Sequence, residues 1–116
     1  MSDVNAVEMT TLKLSKQAVI GAWNAMLKTR PKGRGEARAH ARITAQLKEK
    51  CMDPVEGAED SFNFKKDGGV IVLDDERFDY LNESVTNLLK GQQIEGNLGQ
   101  AFGELVEALD SVPEPK

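Results

Sequence analysis

Three arginines spaced four residues apart form the pattern in this chain that is best suited to binding chemistry. Arg34, Arg38 and Arg42 recur at the helical repeat, so a helix would place all three on one side. Arginine presents a planar fork of hydrogen-bond donors that matches phosphate and carboxylate groups. The cations that precede them in the sequence are Lys28, Arg30 and Lys32. We therefore predict that this basic segment, residues 28–42, is a contact region for an anionic group or a partner protein.

Three interpretations of the basic segment stay open: a solvated helix face, a protein-contact surface, and a site for a nucleotide or nucleic acid. Nucleic-acid binders are usually basic overall and interleave aromatic residues. This chain has a pI of about 5.0 and no aromatic residue between Trp23 and Phe62. Residues 31–35 add flexible backbone but lack the Gly-Lys-Ser/Thr of a phosphate-binding loop. Composition therefore favours protein contact over nucleic acid.

An acidic cluster marks the start of the third predicted helix and consists of Asp74, Asp75, Glu76 and Asp79. Acidic side chains in a first helical turn are favourable because they oppose the positive end of the helix dipole. The spacing does not match a calcium-binding loop, and no histidine is nearby. The cluster is therefore predicted to cap the helix, and we expect no metal site.

His40 and Cys51 are the only histidine and the only cysteine in the chain. We expect His40 to pack beside an apolar stripe with one hydrogen bond, and Cys51 to be a buried structural thiol. Eleven residues along one helix separate the two by about three turns, which is too far for a nucleophile and its base. We therefore expect no catalytic activity and no cofactor.

Two glycines inside the last predicted helix, Gly99 and Gly103, indicate close approach of another helix or chain. A glycine inside a helix lowers the stability of the helix by about 1 kcal/mol relative to alanine. Two of them therefore indicate that close packing requires glycine at these positions. The alternative is a weak helix that frays. We expect this helix to mediate self-association, with an apolar centre made of Leu98, Phe102, Leu105 and Leu109.

The elements that position the basic segment are predicted from hydrophobic periodicity. Residues 7–14 indicate a half-buried strand, and Ser15 is expected to cap a first helix that ends before Pro31. A second helix is predicted from about Glu36 to Cys51. Its apolar side, opposite the three arginines, consists of Ala39, Ile43 and Leu47.

The second half of the chain is predicted to start with an acidic loop at residues 53–60. Residues 62–64 and 70–73 flank a Lys-Asp-Gly-Gly sequence that is typical of a β-hairpin turn. A third helix is predicted to begin at Asp74 or Asp75 and to end at Gly91, and a fourth helix follows. The inward side of the third helix is predicted to consist of Phe78, Leu81, Val85, Leu88 and Leu89.

These elements predict an α+β fold class, with a small three-stranded, mainly antiparallel sheet packed with about four helices. The length of 116 residues fits a single domain, 1–116. Residues 1–6 and 112–116 are expected to be disordered. The single cysteine suits a reducing compartment, and neither a signal peptide nor a membrane span is apparent. We therefore expect a cytoplasmic protein that does not bind a membrane.

Charge is divided unevenly along the chain. Residues 1–52 carry ten Lys/Arg against four Asp/Glu, and residues 53–116 carry five against fifteen. The total of −4 therefore hides a basic half near +6 and an acidic half near −10. Such asymmetry favours an anionic partner for one half and a cationic partner for the other.

The order of elements also carries a resemblance. A strand at residues 11–14, an arginine-rich second helix and a late helix that begins Asp74-Asp75-Glu76-Arg77-Phe78 follow one another. In this order the chain resembles an uncharacterised family of small proteins encoded by tailed bacteriophages. The resemblance covers most of the chain and implies a phage or prophage origin. It also implies action in the host cytoplasm, in virion assembly or against a host system.

We expect, in sum, a non-catalytic, self-associating binding protein of phage type that acts on another macromolecule. Its expected partners are a second copy of itself and an unidentified protein, with nucleic acid disfavoured. The alternative is an anion-binding module. In that case the basic segment would hold a nucleotide, a phosphorylated signal or a nucleic-acid backbone.

Overall fold

The computed structural model describes residues 9–91 and 96–111, apart from the side chains of residues 58–60 and 97. The elements are, in order, β1 (Met9–Leu14), α1 (Lys16–Lys28), α2 (Arg34–Cys51), β2 (Met52–Val55), β3 (Ala58–Phe64), β4 (Gly69–Asp74), α3 (Asp75–Lys90), a 3-10 turn (Gly96–Leu98) and α4 (Gly99–Asp110). The terminal segments that were predicted to be disordered, residues 1–6 and 112–116, lie outside the described residues.

Across the described residues the fold is α+β with four α-helices, as predicted, but the prediction of a three-stranded sheet is wrong. The strands form two separate two-stranded antiparallel sheets, β1 with β4 and β2 with β3. In the first sheet Leu14 lies opposite Gly69, and in the second Met52 lies opposite Phe64. Strand β4 pairs with the N-terminal strand β1 on one edge, and helix α2 lies at its other edge.

Helix α2 explains why the first sheet stops at two strands. Gln46 of α2 accepts a hydrogen bond from the Val72 N–H through Oε1 at 2.8 Å and donates one to the Val72 carbonyl through Nε2 at 2.7 Å. The side-chain amide thus takes the place of a third strand at the free edge of β4. Because an unpaired edge is a template for further strands, these hydrogen bonds protect the edge of β4 at Val72.

The predicted hairpin between residues 62–64 and 70–73 is wrong, although the chain does turn between them. Gly68 adopts φ +70°, and its N–H donates to the Lys65 carbonyl at 3.0 Å. The two flanking strands then pair with different partners. A Cβ at Gly68 would lie 1.9 Å from the Leu14 carbonyl oxygen, so this glycine lets β4 begin directly beside the end of β1.

The predicted acidic loop at residues 53–60 is also wrong. Its residues form β2 and the start of β3, joined by a turn in which Gly57 has φ +84°. Lys48 of α2 holds this second sheet against α1. Its Nζ lies 5.6 Å from the ring centroids of both Trp23 and Phe62, within the range of a cation–π contact.

The helix boundaries follow local capping chemistry. Ser15 Oγ accepts a hydrogen bond from the Ala18 N–H at 3.2 Å, and Asp74 Oδ1 accepts one from the Arg77 N–H at 2.9 Å. Both caps were predicted. On α3, however, Leu89 is 46% exposed instead of facing inward. The inward positions include the buried polar residues Tyr80 and Ser84.

The core lies where the helices meet the inner face of the β1–β4 sheet. The largest side chains that are almost fully buried there are Leu12, Leu14, Met26, Ile43, Leu47, Ile71, Leu73, Leu81, Phe102 and Leu105. Helices α1 and α4 pack closely against each other. A Cβ at Gly21 would lie 2.7 Å from the Ala101 carbonyl oxygen, so only glycine allows the two backbones to approach this closely.

Candidate functional site

The six cations of the basic segment are all exposed, but the fold separates them into two groups. One group lies on the outer side of α2 and consists of Arg34, Arg38 and Arg42. The other lies at the end of α1 and on the connection to α2, and consists of Lys28, Arg30 and Lys32. The structure therefore offers two neighbouring places for an anionic partner instead of one continuous stripe.

The outer face of α2, which we define as the exposed residues Arg34, Ala37, Arg38, Ala41, Arg42 and Ala45, results from the apolar periodicity of the helix. Ala39, Ile43 and Leu47 are buried on the opposite side. Since successive residues turn by about 100°, the arginines at four-residue spacing must point away from the core. The small side chains of Ala37, Ala41 and Ala45 are exposed among them.

The arginines of this outer face are free to meet a partner. Ion pairs among the described residues join Lys50 to Glu49 at 3.6 Å, Lys65 to Asp53 at 3.8 Å, and Arg77 to Asp74. None of these pairs involves Arg34, Arg38 or Arg42. Within the described part of the chain their guanidinium groups therefore lack a carboxylate partner and remain solvated.

A polar groove of about 390 Å³, which we call the α1–α3 groove, accounts for the second group of cations. Its basic side is formed by Lys28, Arg30 and Lys32, and its α3 side by Tyr80, Glu83, Ser84, Asn87 and Leu88, with Thr29 and Glu36 completing the lining. Glu36 is partly engaged, since its Oε1 accepts a hydrogen bond from the Lys32 N–H at 3.0 Å. Sequence analysis missed the α3 side because its polar residues lie some fifty positions away from the basic segment.

Tyr80 and His40 join α2 to α3 beside this groove. The Tyr80 hydroxyl and His40 Nδ1 share a hydrogen bond of 3.0 Å, which confirms His40 as a packed residue with a hydrogen-bond partner. Burial lowers the pKa of His40. Burial and the nearby Glu36 carboxylate raise the pKa of Tyr80, and a hydrogen bond with Ser84 partly offsets that rise.

Cys51 is fully buried at the end of α2, as predicted. Burial raises the pKa of its thiol, and the Lys65 cation only partly opposes this effect. The neighbouring backbone is tightly packed, because a Cβ at Gly69 would lie 2.8 Å from Cys51 Sγ. A buried thiol with a raised pKa is a poor nucleophile, so the side chain serves packing.

The acidic cluster at the start of α3 caps the helix through Asp74, as predicted. Three exposed carboxylates of this helix, Glu76, Asp79 and Glu83, also line a second groove of about 210 Å³ together with Glu36 and Tyr80. Across the described residues, no group of three or more His, Cys, Asp or Glu side chains is arranged to hold a metal ion. The carboxylates instead form an exposed acidic stripe along α3.

The residues that were predicted to mediate self-association occupy two different environments. Phe102 and Leu105 are 1% and 0% exposed and belong to the core of the protein itself, so they cannot form the centre of an interface. Leu98 is only partly buried. Gly99 and Gly103 are exposed, and apart from the adjacent residues of their own helix no atom of the described residues lies within 4 Å of the position of a Cβ. Within the described residues, neither glycine is therefore required by close packing.

Comparison of the chain with protein-family models, with curated proteins and with solved structures gives no match. Among the described helices, none combines the length and the apolar character that crossing a membrane requires.

Proposed function

We propose that this protein is a non-catalytic binding protein whose outer α2 face contacts an acidic surface on a partner protein. The observation that carries the proposal is the row of three exposed arginines on this face. They form no ion pair with a described carboxylate, and the side chains exposed among them are alanines. Four helical residues span about 6 Å. The arginines therefore recur at the same interval as carboxylates at every fourth position of a partner helix.

The exposed alanines among the arginines support a helix as the partner element. Small side chains let two backbones approach, and long arginine side chains on either side of them reach carboxylates at the edge of the contact. Exposed ion pairs contribute only about 0–1 kcal/mol each. Such a contact is therefore moderate in affinity and depends on salt.

Self-association belongs to the same proposal, with α3 of a second copy as the acidic element. Glu76, Asp79 and Glu83 are exposed at spacings of three and four residues, which suits a contact with the arginines. Because Phe102 and Leu105 are core residues, this association is electrostatic in character. In a tailed phage, the setting that the element order suggests, such a surface would serve virion assembly or the blocking of a host protein.

A charge-reversal pair tests the proposal. Arg38→Glu with Arg42→Glu should weaken binding of a helical peptide of about 20 residues with Glu at every fourth position by about tenfold or more. It should also shift sedimentation of the protein toward monomer. The matched control is Lys66→Glu with Lys90→Glu, which changes the net charge equally at two exposed lysines that do not belong to the outer face of α2.

The proposal requires that the control retain peptide binding and that both variants melt like the wild type, since surface substitutions usually change stability by less than about 0.5 kcal/mol. Equal loss in both variants would show that net charge alone drives the interaction. Tighter binding of duplex DNA than of the peptide would assign the face to nucleic acid instead.

A further inference from the structure

The α1–α3 groove has a composition that differs from the outer face of α2. Three cations and two carboxylates, Glu36 and Glu83, line the groove, which leaves a formal charge of +1. Neutral hydrogen-bonding side chains stand between these charges, namely Thr29, Tyr80, Ser84 and Asn87. The groove therefore suits a small ligand with an anionic end and several hydroxyl or amine groups.

The anionic end is best matched by a phosphate. A phosphomonoester carries a charge of about −1.5 to −2 at pH 7, whereas a carboxylate carries only one. Lys28, Arg30 and Lys32 reach the groove from the end of α1 and the extended connection that follows it. Three cations around one site match the three terminal oxygens of a phosphate better than a single carboxylate.

The rest of the ligand is best matched by sugar hydroxyls. Glu83 is an acceptor for hydroxyl groups, and Asn87 and Ser84 both donate and accept hydrogen bonds. The aromatic ring in the groove belongs to Tyr80, which is 9% exposed and hydrogen-bonded to His40, so it presents little face for a nucleobase to stack on. At about 390 Å³ the groove also lies at the small end of the usual range for ligand sites, roughly 300–1,000 Å³.

We infer that the α1–α3 groove binds a small phosphorylated sugar, with the phosphate at Lys28, Arg30 and Lys32 and the hydroxyl groups at Glu83, Ser84 and Asn87. This site is separate from the outer α2 face and does not depend on the function proposed for that face. Glu36 positions the basic side of the groove, because its carboxylate accepts a hydrogen bond from the Lys32 backbone N–H.

Titration calorimetry with ribose 5-phosphate, ribose, inorganic phosphate and AMP tests the assignment. Ribose 5-phosphate should bind saturably with a Kd below about 1 mM, and more tightly than either ribose or inorganic phosphate. AMP should bind no more tightly than ribose 5-phosphate, because the groove offers no exposed ring. Absence of saturable sugar-phosphate binding up to about 10 mM would overturn the proposal, and so would AMP binding that is tenfold tighter.

Variants separate the groove from general surface charge. Lys28→Ala with Arg30→Ala should weaken ribose 5-phosphate binding about tenfold, while Arg34→Ala with Arg42→Ala, the same charge change on the outer face, should leave it within about twofold. Asn87→Ala should weaken binding of ribose 5-phosphate and leave that of inorganic phosphate unchanged. Equal weakening by the two double variants would overturn the site.

Discussion

At the scale of single residues, His40 and Tyr80 control the contact between α2 and α3. Tyr80 is 9% exposed and its hydroxyl lies 3.0 Å from His40 Nδ1. A buried hydroxyl without a partner is costly, so the pair fixes the side-chain geometry along one wall of the α1–α3 groove. His40 therefore links the protonation state of the protein to the packing of these helices.

The lowered pKa of His40 predicts that the protein loses stability in mild acid. Below its ordinary pKa of 6.5, the unfolded chain binds a proton more readily than the folded chain, so the free energy of unfolding falls as the pH falls. Burial is the cause of the lowered pKa. Chemical denaturation between pH 7.5 and about 5 should show this decline.

His40→Gln serves as the control for that prediction, because it keeps a polar side chain but removes the titrating group. The variant should be nearly insensitive to pH across the same interval. A wild-type protein that becomes more stable on acidification, or a variant with the same slope as the wild type, would show that His40 is not responsible.

At the scale of elements, the packing of α1 on α4 depends on Gly21. A Cβ at this position would lie 2.7 Å from the Ala101 carbonyl oxygen, and a backbone atom of a packed helix cannot easily move away. At Gly103 on the exposed side of α4, by contrast, no atom of the described residues beyond the adjacent part of its own helix lies within 4 Å of a Cβ position. The same substitution should therefore have opposite effects at these two glycines.

Gly21→Ala is expected to lower the free energy of unfolding by about 1–3 kcal/mol, the usual cost of overpacking. Gly103→Ala should raise it by up to about 1 kcal/mol, because alanine is the better helix former. Urea denaturation of both variants measures the difference. A destabilising Gly103→Ala would instead reveal a close neighbour at that face, as the self-association hypothesis required.

The sequence predicted those features of the elements that depend on nearby residues. Ser15 and Asp74 cap their helices through hydrogen bonds to residues three positions on, and the apolar repeat of α2 fixes which side holds the arginines. Strand pairing depends on distant residues instead. The turn near Gly68 predicted that β3 and β4 would pair with each other, but among the described residues β4 pairs with β1 alone, and that choice rests on contacts with Leu14 and Gln46.

The candidate site, like the fold, was predictable only where it depends on residues that are close in the sequence. Six cations near one another in sequence indicated a basic surface, but not its division into an outer helix face and a groove. The groove needs α3, whose Glu83 and Asn87 come close only in the folded chain. The core position of Phe102 was not predictable for a related reason, since the side of α4 that carries it packs on α1 and the rest of the core.

At the scale of the whole molecule, the uneven charge of the sequence becomes a division among helices. Exposed cations concentrate on α2 and the α1–α2 connection. Exposed carboxylates concentrate on α3 and α4, namely Asp75, Glu76, Asp79, Glu83, Glu107 and Asp110. Such a field accelerates encounter with a partner of complementary charge and is screened by salt over a Debye length of about 8–10 Å.

Amide chemical-shift mapping by NMR tests the central claim, that the outer face of α2 is the contact surface. On titration with the peptide that carries Glu at every fourth position, the perturbed amides should be those of residues 34–45, and the perturbations should weaken as salt is raised through about 0.1 M. Perturbations centred on α4 or on the β1–β4 sheet, or a map unchanged by salt, would contradict the claim.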